Sequence, residues 1–219
     1  MVTIEATITK DNLLRDLVPD TPIILYGVSW ENYENLVREL DGSSVQMTYN
    51  RGILKIMSKS GEHEYYIKLL ERLVDRICFR FMIKVIFFGG PTIKKSFAKK
   101  GVEPDACFYV SRANLVSGRA NVNVSEIVPD IVVEVDVTYA DEDKFEIYAA
   151  FKISEFWRYN ENNFQIFRLE NGEYKEVAES LELPQLSSKL LTEFLNRSKT
   201  EDQFDLLIEF ENLLKEKQI

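Results

Sequence analysis

Histidine occurs once and cysteine twice in the 219 residues, and each scarcity excludes a class of chemistry. One histidine cannot build a histidine-rich metal site. Cys78 lies in an apolar helical pattern and Cys107 in an apolar strand pattern; without metal-type spacing, both read as small packed hydrophobes and not as a disulfide framework. No apolar run reaches the roughly eighteen residues of a membrane-spanning helix. The N-terminal stretch also lacks the charged, then apolar, then small-residue order of an export signal, so a cytoplasmic location is expected. Basic residues are the minority, 27 Lys and Arg against 36 Asp and Glu, for a net charge of -9 and a pI near 4.9. That balance argues against strong non-specific attraction to nucleic acid. The densest basic run, Lys94, Lys95, Lys99 and Lys100, reads as a solvated loop face or as a phosphate contact.

With 45% apolar residues the chain can bury a real core, and one domain is the simplest organisation. Ser29 is a natural N-cap for a helix from Trp30 to about Leu40. The alternating segments Val45 to Tyr49 and Ile53 to Met57 flank Asn50-Arg51-Gly52 as a hairpin with two half-buried strands. Apolar residues at threes and fours, Ile67, Leu70, Leu73, Val74, Ile77 and Phe81, then predict a long amphipathic helix from about Glu62. Strands are predicted at Lys84 to Phe88, around Thr92-Ile93, at Ala106 to Val110 and, most centrally, at Ile131 to Val137. A helix from Asp141 to Phe151 and strands at Glu155 to Tyr159 and Phe164 to Leu169 follow. Amphipathic tail segments end at a helix over Phe204 to Leu214, expected to pack on the domain or on a second copy. This order argues for an α/β or mixed α+β fold with a central mixed sheet flanked by helices.

The chemistry concentrates in Pro129-Asp130-Ile131-Val132-Val133-Glu134-Val135-Asp136-Val137. Strand side chains alternate, so Glu134 and Asp136 share a face with Val132, while the opposite face is wholly apolar. A lone ionised carboxylate in a dry interior takes up a proton or acquires a partner, and a bound cation would relieve both acids. The bland alternative is a solvated face. Asp105, which Pro104 delivers to the mouth of the next strand, is either a turn former or a third ligand. Oxygen donors without a Cys or His cluster suit Mg²⁺ or Mn²⁺, so Asp105, Glu134 and Asp136 form the expected metal site. Trp157 and Tyr159, at alternate strand positions, read as core and not as base-stacking platforms.

Five segments in order carry a resemblance: Ile56 to His63, Gly101 to Asp105, Pro129 to Asp136, Asp143-Lys144 with Ile147-Tyr148-Ala149, and Ser154 to Tyr159. The chain resembles the cyanobacteria-rich Uma-type family, long labelled a domain of unknown function, within the PD-(D/E)XK restriction-endonuclease-like superfamily. The resemblance implies a restriction-endonuclease-like core over about residues 20 to 195, with a C-terminal helix at about 198 to 217. It also implies a metal-dependent endonuclease acting on DNA, working as a homodimer. Asp105 and Glu134 match the motif's acids, whereas Asp136 stands where the motif usually has lysine. Lys144, in the first turn of the next helix, matches a shifted lysine; its plain alternative is a solvated helix residue or a partner of Tyr148. Glu62 inherits a catalytic or metal-facing place, His63 a capping or packing one, and Glu103 stays ambiguous. A non-catalytic interaction module on a retained nuclease scaffold and a hydrolase of smaller phosphoesters are the rival readings.

Overall fold

A computed structural model describes residues 17 to 216, so the first sixteen residues and the last three, including the expected helix end at residue 217, lie outside it. Eleven strands and six α-helices form two sheets among these residues.

The first sheet is antiparallel, in the order β1-β3-β2-β6-β5. Its strands are β1 (Ile23–Tyr26), β2 (Val45–Asn50), β3 (Ile53–Ser58), β5 (Ile93–Lys95) and β6 (Lys100–Val102). The expected β2–β3 hairpin is present, paired from Val45 with Ser58 to Asn50 with Ile53. Helix α1 (Trp30–Glu39) starts where Ser29 accepts the Asn32 backbone N–H at 3.1 Å. It packs Tyr33 onto the face that carries Val45, Met47, Tyr49, Leu54 and Ile56. β1 is not apparent in the sequence, because four residues between Pro22 and Gly27 read as a connector. β6 is equally hidden by its Lys-Gly start.

Gly101 is required by close approach. A Cβ there would lie 2.1 Å from the Tyr33 hydroxyl, and the Tyr33 ring is fully buried and stacked on Tyr49 with centroids 4.7 Å apart, so it cannot swing aside. Gly101→Ala is expected to cost about 1–3 kcal/mol through overpacking, read as a lower urea midpoint at unchanged m-value.

The second sheet is mixed, in the order β11-β10-β9-β8-β7-β4. It comprises β4 (Ile86–Phe87), β7 (Ala106–Tyr109), β8 (Ile131–Val135), β9 (Glu155–Tyr159), β10 (Phe164–Glu170) and β11 (Glu173–Val177). Only β8 and β9 run parallel, joined by the crossover helix α4 (Asp143–Phe151). Ile131, Val133 and Val135 face one side, where they join Trp157, Tyr159 and the buried stripe of α2 (Gly61–Arg80). α5 (Ser188–Arg197) and α6 (Gln203–Glu216) complete that core. The face of α6 formed by Leu206, Leu207, Phe210 and Leu214 is therefore covered by its own chain, while Phe204 and Ile208 of the same helix stay exposed. On the other side, Val132 and Cys107 pack under Ile147, Tyr148 and Phe151 of α4. The short helix α3 (Ala113–Val116) seals one end. No helix among the described residues is long and apolar enough to cross a membrane.

The fold is thus the mixed α/β, restriction-endonuclease-like type expected, with its sheet divided in two. The chain passes between the sheets three times, after β3, after β4 and, for the last time, through Glu103-Pro104-Asp105 between β6 and β7. Glu103 fastens this crossing: its carboxylate accepts the Met47 backbone N–H at 2.9 Å and the Thr92 hydroxyl at 2.5 Å. Burial pushes its carboxyl upward, against both hydrogen bonds. Glu103 acts here as a strut.

Candidate functional site

Asp105 enters β7 with its backbone N–H donated to Val133 O at 3.0 Å, so its side chain is delivered to the end of β8. Oδ2 accepts the Val135 backbone N–H at 2.7 Å and lies 2.8 Å from His63 Nε2. Oδ1 accepts Gln46 Nε2 at 2.9 Å and lies 3.3 Å from Lys59 Nζ. Burial would raise this carboxyl, but His63 and Lys59 outweigh it and hold Asp105 well below the ordinary carboxylate range. It is an anion at any physiological pH.

Glu134 lies on the α4 side of β8 and is fully buried. Its Oε2 is 2.5 Å from Lys144 Nζ, and Oε1 accepts the Tyr148 hydroxyl. Lys144 and Tyr148 are one turn apart on α4, so one helix face presents an ammonium and a phenol to a single carboxylate. Burial pushes Glu134 up to about 8, reinforced by Asp105 and opposed by Lys144. Lys144 is raised as well: the charges of Glu134, Asp105 and Asp136 overcome its burial and keep it a cation. Tyr148 stays protonated, raised by burial and by Glu134.

Asp136 falls just beyond β8, where its backbone N–H donates to Tyr159 O at 2.8 Å. Its carboxylate is engaged by Arg158, which also reaches Glu142 at 2.9 Å. Burial raises Asp136, against Lys144 and Arg158. The structure therefore brings Asp105, Glu134, Asp136 and Lys144 into one electrostatic neighbourhood. Glu62 does not join it: this exposed side chain accepts the Tyr66 hydroxyl at 3.1 Å. Trp157 and Tyr159 are core residues, and each places its polar atom on a partner, Glu155 and Asn196, at 2.8 Å.

His63 carries more than the cap or packing role expected of it. It is buried in the first turn of α2 with Nδ1 3.3 Å from Asp20 and Nε2 2.8 Å from Asp105, although the ring does not align an N–H along either contact. The signal for this is legible, since His63, Ile67, Leu70 and Val74 recur at fours and threes on one helix face. Gln46 and Lys59 have no such signal. Gln46 and Thr48 alternate with core residues of β2, and Lys55 and Met57 with those of β3, the pattern of strands with a wet face. Here that face is a wall of the site. It lines a narrow inner pocket with Asp136, Asp141 and Lys144, closed by ion pairs from Lys55 to Asp141 and, at 2.6 Å, to Asp143.

The basic run takes no part in the site. Lys94 pairs with Glu34 at 3.1 Å, Lys95 lies over Phe151, Lys99 lies over Trp30, and buried Lys100 reaches Glu146 at 2.8 Å. Beside the site, a cleft of about 410 Å³ opens past Lys59, Glu64 and Glu103.

Among the described residues, no three His, Cys, Asp or Glu side chains converge as a finished cation cage. The donor chemistry nevertheless fits a hard divalent ion. Buried carboxylates from two strands face a shared space, the cations now neutralising them are side chains that can yield, and the neutral oxygen of Gln46 is buried there without a partner.

Comparison with known proteins gives a consistent answer. A family model, Uma2, described as "Putative restriction endonuclease", matches residues 30–198. No curated protein matches the chain. Among solved structures, the chain is similar to a crystal structure titled as a "putative nuclease belonging to DUF820" from Anabaena variabilis ATCC 29413. The two share 15% identity at a TM-score of 0.52, over 77% of this chain and 99% of the other, which is a likeness of fold.

Proposed function

The chain belongs to the Uma2 family, described as "Putative restriction endonuclease", and from that premise we propose that it is a Mg²⁺- or Mn²⁺-dependent endonuclease hydrolysing DNA phosphodiester bonds. The observation that carries this reading is the buried set Asp105, Glu134 and Lys144, assembled from a sheet crossing, a central strand and a helix. Asp105 and Glu134 would hold the ion, with Asp136 beside them. When bound, the ion would supply Lewis-acid polarisation of the phosphate.

The remaining tasks fall to the chain. Asp105, held as an anion by His63 and Lys59, is a fixed oxygen donor whose orientation the Val135 N–H sets. Burial raises the carboxyl of Glu134, and Lys144 is the neighbour that favours its charged form. Lys144 keeps an ammonium in the site, suited to orienting water or offsetting phosphate charge, from the helix and not from the strand position that Asp136 occupies. One observation favours a non-catalytic module on the same scaffold: the carboxylates of Asp105, Glu134 and Asp136 already have protein partners.

Cleavage separates the two readings. Purified protein with Mg²⁺ or Mn²⁺ is expected to cut supercoiled plasmid or single-stranded DNA. Glu134→Gln, which keeps the shape and removes the charge, should reduce the rate by about 10²–10³-fold. Equal cutting by both proteins, or cutting by neither, would sink the nuclease reading.

A further inference from the structure

We propose that Gln46 contributes a neutral oxygen ligand, Oε1, to the cation site of Asp105 and Glu134; this rests on the metal reading above. The side-chain amide of Gln46 has one end fixed. Nε2 donates to Glu103 O at 3.2 Å, Pro104 O at 3.1 Å and Asp105 Oδ1 at 2.9 Å, three acceptors that set which end is nitrogen. Oε1, the other end of the amide, is fully buried with no donor in reach. Buried acceptors are almost always paired, and one left over beside an anionic site asks for a ligand.

Placement supports the same assignment. Gln46 is the one residue shared by the walls of the cleft and the inner pocket, with Lys59 and Glu103 on one side and Asp136 and Lys144 on the other. It comes from the first sheet, whereas Asp105 and Glu134 belong to the crossing and the second, so its oxygen would complete the set from the open side. Side-chain amide oxygens are ordinary ligands of hard divalent ions. In a site that already gathers three carboxylates, a neutral donor adds coordination without adding repulsion.

Calorimetry with Mn²⁺ on the full chain tests this, alongside Gln46→Met, Gln46→Glu and Asp105→Asn, each checked for folding by its melting temperature. Gln46→Met keeps the length but has no oxygen, and is expected to weaken Mn²⁺ binding tenfold or more, in the range of about 10–100-fold for supporting residues of metal sites. Gln46→Glu keeps an oxygen while losing the Nε2 donations, and should bind more tightly than Gln46→Met. Wild-type affinity in Gln46→Met overturns the proposal and leaves the site standing. Equal weakening in both variants assigns Gln46 only to holding Asp105 through Nε2, and the ligand claim fails. Should Gln46→Met not fold, Gln46→Leu replaces it, and wild-type affinity in that variant refutes the claim by itself. If wild type does not bind Mn²⁺, or Asp105→Asn binds equally well, the underlying metal reading falls.

Discussion

Lys144→Met is expected to destabilise the protein by about 3–5 kcal/mol at pH 9.5, the cost of leaving buried charge unpaired, and by clearly less at pH 5. Removing the ammonium strands Glu134, Asp136 and Asp105 in the same low-dielectric neighbourhood. Glu134 is already raised to about 8 by burial, with Lys144 as the main opposing charge, so its loss lifts the carboxyl further. A carboxyl whose folded pKa exceeds its unfolded value of about 4.3 penalises the fold progressively as pH climbs from that value to the folded one. The penalty thus grows across the range from about 4.3 to beyond 8 and reaches a higher value in the variant. Urea midpoints of both proteins at pH 5, 8 and 9.5 measure it; a deficit independent of pH would show that Lys144 contributes packing alone.

Asp105→Asn should show the opposite pH signature and the larger functional loss. Burial acts to raise Asp105, and His63 and Lys59 overcome it, so the folded pKa is depressed. A depressed carboxyl stabilises the fold above its unfolded pKa of about 3.9 and loses that contribution as pH falls through the lower folded value. The variant is therefore less stable at neutral pH, and its stability falls less steeply in acid, visible in unfolding midpoints from pH 6 down to pH 2. Because the amide oxygen of the substituted side chain could still accept the Val135 N–H, local geometry should survive while the anionic oxygen is gone. Cleavage should then fall by about 10³-fold, near the limit for loss of one electrostatic contributor. Retained cleavage would remove Asp105 from the site.

How much of this is readable from the residues depends on which face they occupy. Alternation along Ile131 to Val137 places Glu134 correctly opposite the apolar core side, and Pro104 correctly delivers Asp105 to a strand mouth. The threefold and fourfold spacing in α2 and α6 identifies buried stripes, though not what covers them. The division into two sheets is illegible, because β1, β6 and β11 are short or polar, and β1 and β6 gain their pairing from neighbours distant in sequence. That division creates the main omission. A polar strand face reads as solvated, yet Gln46, Thr48 and Lys55 look across to the second sheet. Glu62 is misplaced by one residue's rotation on its helix: the adjacent His63 turns inward instead.

The crossing at Glu103-Pro104-Asp105 has a consequence for how the molecule loses order. Each sheet carries its own apolar cluster and a third joins them through Ile93 and Val102, while the acidic neighbourhood draws Gln46, Lys55 and Lys59 from one sheet and Glu134, Asp136 and Lys144 from the other. Native proteins open in cooperative pieces of unequal free energy, and such a seam, held by ion pairs on one side and by the joining apolar cluster on the other, is a boundary between two of them. Parting of the sheets would scatter these groups while both hydrogen-bond ladders stayed intact. The fluctuation that matters most for the chemistry is therefore a subglobal one, and far-ultraviolet circular dichroism, which follows the ladders, is blind to it.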